Sequence, residues 1–358
     1  MRFHSLEVSR VVPETARAVR VTLDVPRRLA TEYLFSPGQY LTIERVLEEE
    51  PVRRSYSICS IPGEPLEVGI KEQPGGRFST WANHGLKAGD RLDAATPEGR
   101  FVRANGARPG VSYFCIAAGS GITPVLSIVR SVLKDNATSR VTLLYGNKTT
   151  ASMMFRHDLL ALKNRYLDRF HLIPVFSEEL QDNELFNGRI DNAKGAEFIK
   201  RLLPLDGFDE FYLCGPESMV SEVTRGLSGQ GIAPERIHCE LFSASADDAA
   251  ERIRKHEERA RRYGGDAARV SVRLNAKRHF FDLEYNGENL LDRASAMGLD
   301  VPYSCKDGVC ATCKALVLEG RVEMDVNHAL SAQEVADGYV LTCQSHPVTA
   351  RLALDFDT

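Results

Sequence analysis

The 358-residue sequence lacks three features that would place a protein in a special class. No stretch stays apolar for long enough to span a bilayer, and the first eight residues carry charges where a signal peptide requires an apolar core. Basic and acidic residues are nearly balanced, 45 against 49, so no general excess of charge favours nucleic acid or a membrane surface. We therefore expect a cytoplasmic protein with neither kind of partner.

The eight cysteines do not show the regular spacing of a disulfide framework. Isolated single thiols are typical of a reducing compartment, and four of the cysteines are of this kind. They are Cys59, Cys115, Cys214 and Cys239.

The other four cysteines follow a ligand pattern. They read C-x4-C-x2-C with one distant partner: Cys305, Cys310, Cys313 and Cys343. This is the spacing of a plant-type 2Fe-2S cluster, and we predict that these thiolates hold one. Gly308 suits a loop whose backbone amides turn toward cluster sulfur. A structural zinc site is the alternative, although zinc more often takes two C-x2-C pairs.

A chain of this length predicts several domains. In residues 1–104, short segments of alternating polar and apolar side chains predict a small antiparallel β-barrel. In residues 105–242, strands alternate with helices, which predicts an α/β domain with a parallel sheet. Residues 243–269 are rich in Ala, Glu and Arg and predict a charged linker, a solvated helix or tether. Residues 270–358 have the order of elements of a β-grasp ferredoxin domain.

Two short motifs stand out in the predicted barrel. Residues 54–57 read Arg-Ser-Tyr-Ser, and in a strand Arg54 and Tyr56 share a face where they can meet a flat anionic ligand. Gly75 and Gly76 form a turn that brings Ser79 near a helix start, where unpaired amides favour phosphate. Taken singly, each motif would be an ordinary strand or turn.

The predicted parallel sheet carries its motifs at strand ends. A buried strand at 112–118 leads into Gly-Ser-Gly-Ile-Thr-Pro at 119–124, which lacks the third glycine of the dinucleotide fingerprint. Pro124 suits the first turn of the following helix, whose N-terminus favours a pyrophosphate. Ligands of open parallel sheets bind at the carboxyl ends of strands, so we expect Gly121, Tyr145 and Cys214 along one edge.

Together and in this order, the motifs resemble the ferredoxin-NADP reductase superfamily, with a plant-type ferredoxin domain added at the C-terminal end. The features that carry the resemblance are Arg-x-Tyr-Ser, the glycine-led turn, G-x-G-x-T-P, Y-G-N and C-G-P. The resemblance implies an NAD(P)H oxidoreductase. Electrons would pass from NADH or NADPH through FAD and the 2Fe-2S cluster to an oxygenase, because a flavin accepts a hydride and releases single electrons.

The resemblance also implies residue roles. It assigns Arg54 to the FAD pyrophosphate, Tyr56 to the flavin ring, and Ser79 to phosphate. Ser57 would polarise the flavin N5 atom, and Cys214 would lie beside the nicotinamide ring, which makes these two the predicted catalytic residues. The remaining cofactor-binding positions are Ser55, Gly76, Phe78, Gly119, Gly121, Thr123, Pro124, Gly215, Pro216 and Phe242.

The partner and the nucleotide leave alternatives open. Segments at 53–59, 152–156, 187–191 and 338–344 look most like reductases of phenylacetyl-CoA 1,2-epoxidases. Reductases of Rieske-type oxygenases, such as the ketosteroid 9α-hydroxylase system, are the runner-up. A hypothesis of another class is a sensor or binding protein that carries iron-sulfur or zinc.

The sequence does not decide between NADH and NADPH. NADP-specific relatives often follow the third strand with Ser-Arg, whereas this chain has Ser-Glu-Glu at 177–179. Lys148, Arg156 and Arg189 could supply the positive charge instead.

Overall fold

The computed structural model describes residues 2–103, 108–190, 207–242, 246–263 and 265–358. Two compact units divide the chain, Arg2–Phe242 and Ser243–Thr358. Within the described ranges, no helix combines the length and the apolar character needed to cross a bilayer. The predicted boundary at 104/105, the start of the linker at 243–245 and Asp191 lie outside the described residues.

The first part of the larger unit is an antiparallel barrel, as predicted. Along its first strand Leu6 and Val8 are fully buried while Glu7 and Ser9 are exposed, the alternation of a half-buried strand. The strand order is β4-β3-β6-β1-β2-β5, and a bridge between Ile58 and Val68 joins the two ends of the sheet. The elements are β1 (Phe3–Thr15), β2 (Ala18–Asp24), β3 (Tyr40–Leu47), β4 (Glu50–Ser57), β5 (Leu66–Lys71), helix α1 (Arg77–His84) and β6 (Arg91–Ala95).

The second part of this unit is a five-stranded parallel sheet, also as predicted. Its order is β11-β10-β7-β8-β9, so the direction of strand addition reverses at β7, where such sheets bind ligands. A short 3-10 turn at Thr150–Ser152 precedes the second helix of this part. The elements are β7 (Ser112–Ala118), α2 (Ile122–Asp135), β8 (Arg140–Asn147), α3 (Arg156–Arg165), β9 (Phe170–Phe176), β10 (Glu210–Gly215), α4 (Glu217–Gly229) and β11 (Ile237–Leu241).

The C-terminal unit has the predicted β-grasp sheet. Its order is β13-β12-β18-β14-β16, with β12 and β18 parallel, and β15 pairs separately with β17. Leu290, Leu291 and Ala294 of helix α6 are buried in the core of this unit. The elements are α5 (Ala246–Tyr263), β12 (Ala267–Leu274), β13 (Lys277–Glu284), α6 (Leu290–Ala296), β14 (Lys314–Glu319), β15 (Val322–Met324), α7 (Ala332–Ala336), β16 (Tyr339–Leu341), β17 (Ser345–Pro347) and β18 (Arg351–Asp355).

Helix α5 lies in the segment predicted as a charged linker. The helix itself was expected, and most of its described side chains face solvent. However, Arg259 is fully buried against Asp325, and Lys255 donates to the backbone carbonyls of Met324 and Asp325. A freely solvated tether would have neither contact, so α5 is an attached part of the C-terminal unit.

Candidate functional site

Ser57 ends strand β4 at the junction of the barrel and the parallel sheet. Ser57 is 4% exposed, and its hydroxyl donates to the carboxyl group of Glu240, in β11, at 3.3 Å. Burial raises the pKa of Glu240 to about 8, and the bond from Ser57 opposes this shift. The two side chains therefore form a hydroxyl-carboxyl pair that retains a proton at neutral pH.

Arg54 and Tyr56 alternate with the two serines along β4, so they share the other face of the strand. The guanidinium of Arg54 is exposed and donates to the carbonyl of Arg53 at 2.7 Å. The Tyr56 ring lies 5.5 Å from the ring of Phe78, which is fully buried in the barrel core. Phe78 therefore packs against Tyr56 within the barrel core.

The turn before helix α1 is held together by Ser79. The Ser79 hydroxyl accepts from the Gln73 amide at 3.0 Å and donates to the Gly76 carbonyl at 3.3 Å. A Cβ atom on Gly76 would lie 2.4 Å from that hydroxyl, so glycine is required at this position. The groups left for a phosphate are the first-turn amides of α1, which have no partner within the helix.

In the turn between β7 and α2, close packing inside the protein requires the second glycine. A Cβ atom on Gly121 would lie 2.2 Å from the carbonyl oxygen of Cys214, so the turn packs directly on β10. Thr123 is buried, and its hydroxyl donates to the carbonyl of Ser120 at 2.9 Å. Gly119 has a φ of +54°, a left-handed conformation that glycine adopts without strain. Pro124 lies in the first turn of α2, as expected.

The carboxyl ends of β7, β8 and β10 meet at one edge. Tyr145 donates its hydroxyl to the carbonyl of Gly119 at 3.0 Å, and Gly121 contacts Cys214 as described above. Burial raises the pKa of the Cys214 thiol well above its usual value, so it stays neutral. Gly215 packs on Met219, and a Cβ atom there would lie 2.6 Å from its methyl group.

Two further predicted positions flank this edge. Pro216 occupies the N-cap position of helix α4, and Phe242, just after β11, is 37% exposed. An exposed aromatic ring after β11 is available for stacking on a flat ligand.

Lys71 lies beside the candidate nucleotide site, and sequence reasoning did not select it. It ends strand β5, and its ammonium lies 3.1 Å from the point that a Cβ atom on Gly119 would occupy. Burial and the nearby charges of Lys148 and Arg17 lower its pKa, which marks an electropositive region beside the glycine turn. The lysine and the turn come from different domains, so no local sequence pattern could have linked them.

Carboxylates accompany the basic residues near the end of β8. Lys148 forms an ion pair with Glu178 at 2.7 Å, and the Thr150 hydroxyl donates to Glu179 at 2.6 Å. Lys148 is therefore partly neutralised as a partner for a 2′-phosphate. The choice between NADH and NADPH stays open.

The four cysteines of the ligand pattern come together in the C-terminal unit as two pairs. Cys305 shares a hydrogen bond with Cys310, and Cys313 shares one with Cys343. Because the two thiols share a proton, the pKa of Cys310 is lowered and that of Cys305 is raised. Among the described residues, no group of three or more His, Cys, Asp or Glu is arranged around a single ion. Two thiol pairs suit a two-iron cluster, in which each iron takes two protein thiolates.

Backbone amides surround these sulfurs. The Asp307 amide donates to Cys305 at 3.3 Å, the amide of Val309 also contacts Cys305, and that of Gly308 contacts Cys343. Gly308 has a φ of +78°, and a Cβ atom on it would lie 3.1 Å from the Gln344 side chain. Donors that converge on thiolate sulfur are what an iron-sulfur cluster requires, so the residues present fit the predicted group.

Comparison with known protein families divides the chain in the same way. Residues 5–102 match an oxidoreductase FAD-binding domain, residues 115–225 an oxidoreductase NAD-binding domain, and residues 272–348 a 2Fe-2S iron-sulfur cluster binding domain. The predicted FAD, nicotinamide nucleotide and 2Fe-2S cluster are thereby confirmed as the cofactors.

Whole-chain similarity to curated proteins is also high. The chain is 40% identical to a component of the 1,2-phenylacetyl-CoA epoxidase of Escherichia coli (strain K12), over 99% of its own length and 98% of that protein. It is 32% identical to the ferredoxin reductase component of 3-ketosteroid-9-alpha-monooxygenase of Rhodococcus rhodochrous, over 98% and 96% of the two chains. The chain belongs to the family of oxygenase reductase components. It is an NAD(P)H oxidoreductase that supplies electrons to an oxygenase.

A solved structure supports the fold of the reductase. Phthalate dioxygenase reductase aligns with 99% of this chain and 98% of its own, with a TM-score of 0.61 and 20% sequence identity. At that identity the likeness concerns the fold alone. It confirms the predicted combination of barrel, parallel-sheet domain and β-grasp domain.

Proposed function

We propose that this chain is the reductase component of a phenylacetyl-CoA epoxidase. The observation that carries the proposal is the 40% identity to the Escherichia coli epoxidase component over nearly the full length of both chains. The reductase of a 3-ketosteroid monooxygenase is the second candidate, because the similarity to that protein is also full-length, at 32% identity.

The barrel residues are proposed to hold and orient FAD. When bound, FAD accepts a hydride and gives up electrons singly, which a nicotinamide donor and a 2Fe-2S acceptor together require. The exposed guanidinium of Arg54 suits the pyrophosphate, and the half-buried Tyr56 offers a ring face. The Ser57–Glu240 pair holds a proton at the end of β4, and Phe242 provides a second aromatic surface.

The parallel sheet is proposed to bind the nicotinamide nucleotide. Its backbone at Gly119, together with the positive charge of Lys71, suits a pyrophosphate at the start of α2. Cys214, neutral and buried, provides an apolar wall at the end of β10. In this proposal the side chain of Thr123 shapes the turn from inside and does not contact the nucleotide.

The four thiolates of Cys305, Cys310, Cys313 and Cys343 are proposed to ligate the cluster. The amides of the loop at 305–313 stabilise their negative charge. We further infer that the domains span 1–104, 105–242 and 270–358, that the segment at 243–269 adds helix α5 to the last of them, and that the reductase is cytoplasmic.

Reconstitution with purified oxygenases tests the partner. The reductase should support NAD(P)H-dependent epoxidation of phenylacetyl-CoA when it is mixed with the oxygenase components of a phenylacetyl-CoA epoxidase. A parallel reaction with a 3-ketosteroid monooxygenase oxygenase should be at least tenfold slower. Cytochrome c reduction in both mixtures controls for reductase activity. Faster turnover in the ketosteroid reaction would favour the second candidate instead.

A further inference from the structure

Helix α5 places basic side chains against the segments that carry the cluster ligands. The helix precedes the β-grasp sheet in sequence and lies outside the matched cluster-binding domain, which begins at residue 272. Its described basic residues fall into two classes. Arg254 pairs within the helix with Glu251 and Glu258, whereas Arg252 and Arg259 reach the rest of the unit.

Arg252 contacts two positions next to cluster ligands. Its guanidinium donates to the Gln344 side-chain oxygen at 3.1 Å and to the backbone and side-chain oxygens of Asp307, both at 3.4 Å. Gln344 directly follows the ligand Cys343, and Asp307 lies between the ligands Cys305 and Cys310. One side chain of α5 therefore joins the ligand loop to the distant fourth ligand.

Both residues that Arg252 contacts lie close to the sulfur atom of a ligand cysteine. The Gln344 amide nitrogen lies 3.6 Å from the Cys343 sulfur and donates to the Lys306 carbonyl at 2.8 Å. The Asp307 backbone amide donates to the Cys305 sulfur at 3.3 Å. Gln344 is 4% exposed, so its orientation is set by these partners and not by water.

A second attachment fixes the position of Arg252. Arg259 is 1% exposed and forms an ion pair with Asp325 at 2.5 Å. Asp325 also pairs with His346 at 3.3 Å, and its backbone amide donates to the Gln344 carbonyl at 2.8 Å. Arg252 and Arg259, two turns apart on α5, thus reach Gln344 at two places: Arg252 contacts its side chain directly, and Arg259 is linked to its backbone through Asp325.

We propose that α5 is part of the cluster site and that Arg252 is a positioning residue that raises the cluster's reduction potential. It does so by holding Gln344 and the Asp307 amide against the ligand thiolates and by adding a positive charge near them. Hydrogen bonds and positive charge stabilise the more negative, reduced form of an iron-sulfur cluster. The inference rests on the cluster ligands given under the proposed function.

A redox titration of the full-length protein, followed by electron paramagnetic resonance of the reduced cluster, tests this role. Arg252→Ala should make reduction of the cluster about tenfold less favourable in its equilibrium constant. For a one-electron couple, this lowers the midpoint potential by about 59 mV. It should also speed the loss of iron to a chelator. Arg252→Lys retains the charge but not the forked geometry and should recover part of the shift. Arg254→Ala, on the same helix, should match the wild type.

Asp307→Asn provides the opposite change, because it removes a negative charge beside the ligand loop. The midpoint potential of the Asp307→Asn cluster should therefore rise. This variant provides a measurable potential even if Arg252→Ala loses its cluster. Loss of iron from Arg252→Ala, with FAD retained and Arg254→Ala intact, would also support the positioning role. Wild-type potential and iron release in both Arg252→Ala and Asp307→Asn would overturn it. A wild-type protein without a cluster would instead contradict the proposed function.

Discussion

The hydrogen bond between Ser57 and Glu240 connects the barrel to the last strand of the parallel sheet. We expect Ser57→Ala to slow NAD(P)H-dependent flavin reduction about 10- to 100-fold, because a positioned proton-bearing group is lost. Nucleotide affinity should change by less than about twofold, since no nucleotide contact is removed. Anaerobic stopped-flow measurement separates the two quantities. Ser36→Ala, at an exposed serine, is the control, and an unchanged reduction rate in Ser57→Ala would contradict the role.

The raised pKa of Glu240 predicts a dependence of stability on pH. The folded chain holds the proton up to about pH 8, while an unfolded carboxyl releases it near its ordinary pKa of 4.5. The stabilisation from this proton is therefore complete below the lower value and is lost as pH rises through the higher one. In the FAD-depleted full-length chain, Glu240→Gln should flatten the fall in Tm between about pH 5 and 8. An unchanged slope would show that Glu240 is ionised throughout.

The close packing around Gly121 predicts that a larger residue at this position lowers the stability of the protein. An added methyl group would lie 2.2 Å from the Cys214 carbonyl, and backbone must move to admit it. Gly121→Ala should therefore destabilise the larger unit by about 1–3 kcal/mol in urea denaturation. Gly229→Ala, where nothing lies within 4 Å, should be neutral or slightly stabilising. Equal stability of the two variants would disprove the close contact.

At the residue scale, the spacing of residues in the sequence predicted a site where the ligands lie close together in the chain. The cysteine pattern identified four thiols that the structure brings together, three of them within one short loop. Hydroxyl groups were less predictable. Ser79 and Thr123 were expected to face ligands, yet each hydroxyl is bonded to its own turn, and only the folded backbone determines that choice.

At the element scale, strand β2 and helix α3 form a clamp across the larger unit. Arg20 of β2 pairs with Glu14 at 2.6 Å and with Asp158 of α3 at 2.5 Å. Glu14 also accepts from the amide of Phe155, whose backbone is left-handed, with a φ of +55°. Both ends of the clamp are mostly buried, with 20% of the Arg20 side chain and 28% of the Asp158 side chain exposed.

Removal of the clamp should weaken this unit. Arg20→Ala should cost about 1–3 kcal/mol, between the values for exposed and fully buried ion pairs. The chain's one tryptophan, Trp81 in α1, provides a fluorescence signal for urea unfolding of this unit. Arg17→Ala, at a pair that is more than half exposed on the arginine side, should cost less than about 1 kcal/mol. Additive effects of Arg20→Ala and Asp158→Ala would show that the two residues are not coupled.

Strands and helices of the domains followed their sequence periods, whereas the attachment of α5 did not. The Ala, Glu and Arg composition of α5 carries no apolar stripe, so it predicts a solvated helix. Its buried contact is an ion pair between Arg259 and Asp325, 66 residues apart in the chain. From sequence alone, a charged side chain is expected to be exposed unless its distant partner is known. For this reason the sequence did not predict that α5 belongs to the cluster site.

At the scale of the whole molecule, the order of domains could be predicted because each domain has its own ligand-binding motif and its own pattern of strands and helices. The flavin and nucleotide domains pack into one compact unit, whereas the ferredoxin domain with α5 forms the other. This division agrees with a chain whose hydride chemistry and single-electron chemistry are separate. We predict that electrons leave the flavin and nucleotide unit through the 2Fe-2S cluster of the other unit.

Anaerobic rapid mixing with NADH or NADPH tests this claim most directly, with full-length wild type, Cys310→Ser and Cys239→Ser compared. Cys239 is exposed and outside the ligand set, so its variant is the matched control. All three proteins should reduce FAD at the same rate, but Cys310→Ser should lack the cluster signal and reduce cytochrome c at least 100-fold more slowly. Cytochrome c reduction by Cys310→Ser at the wild-type rate would contradict the proposed electron path.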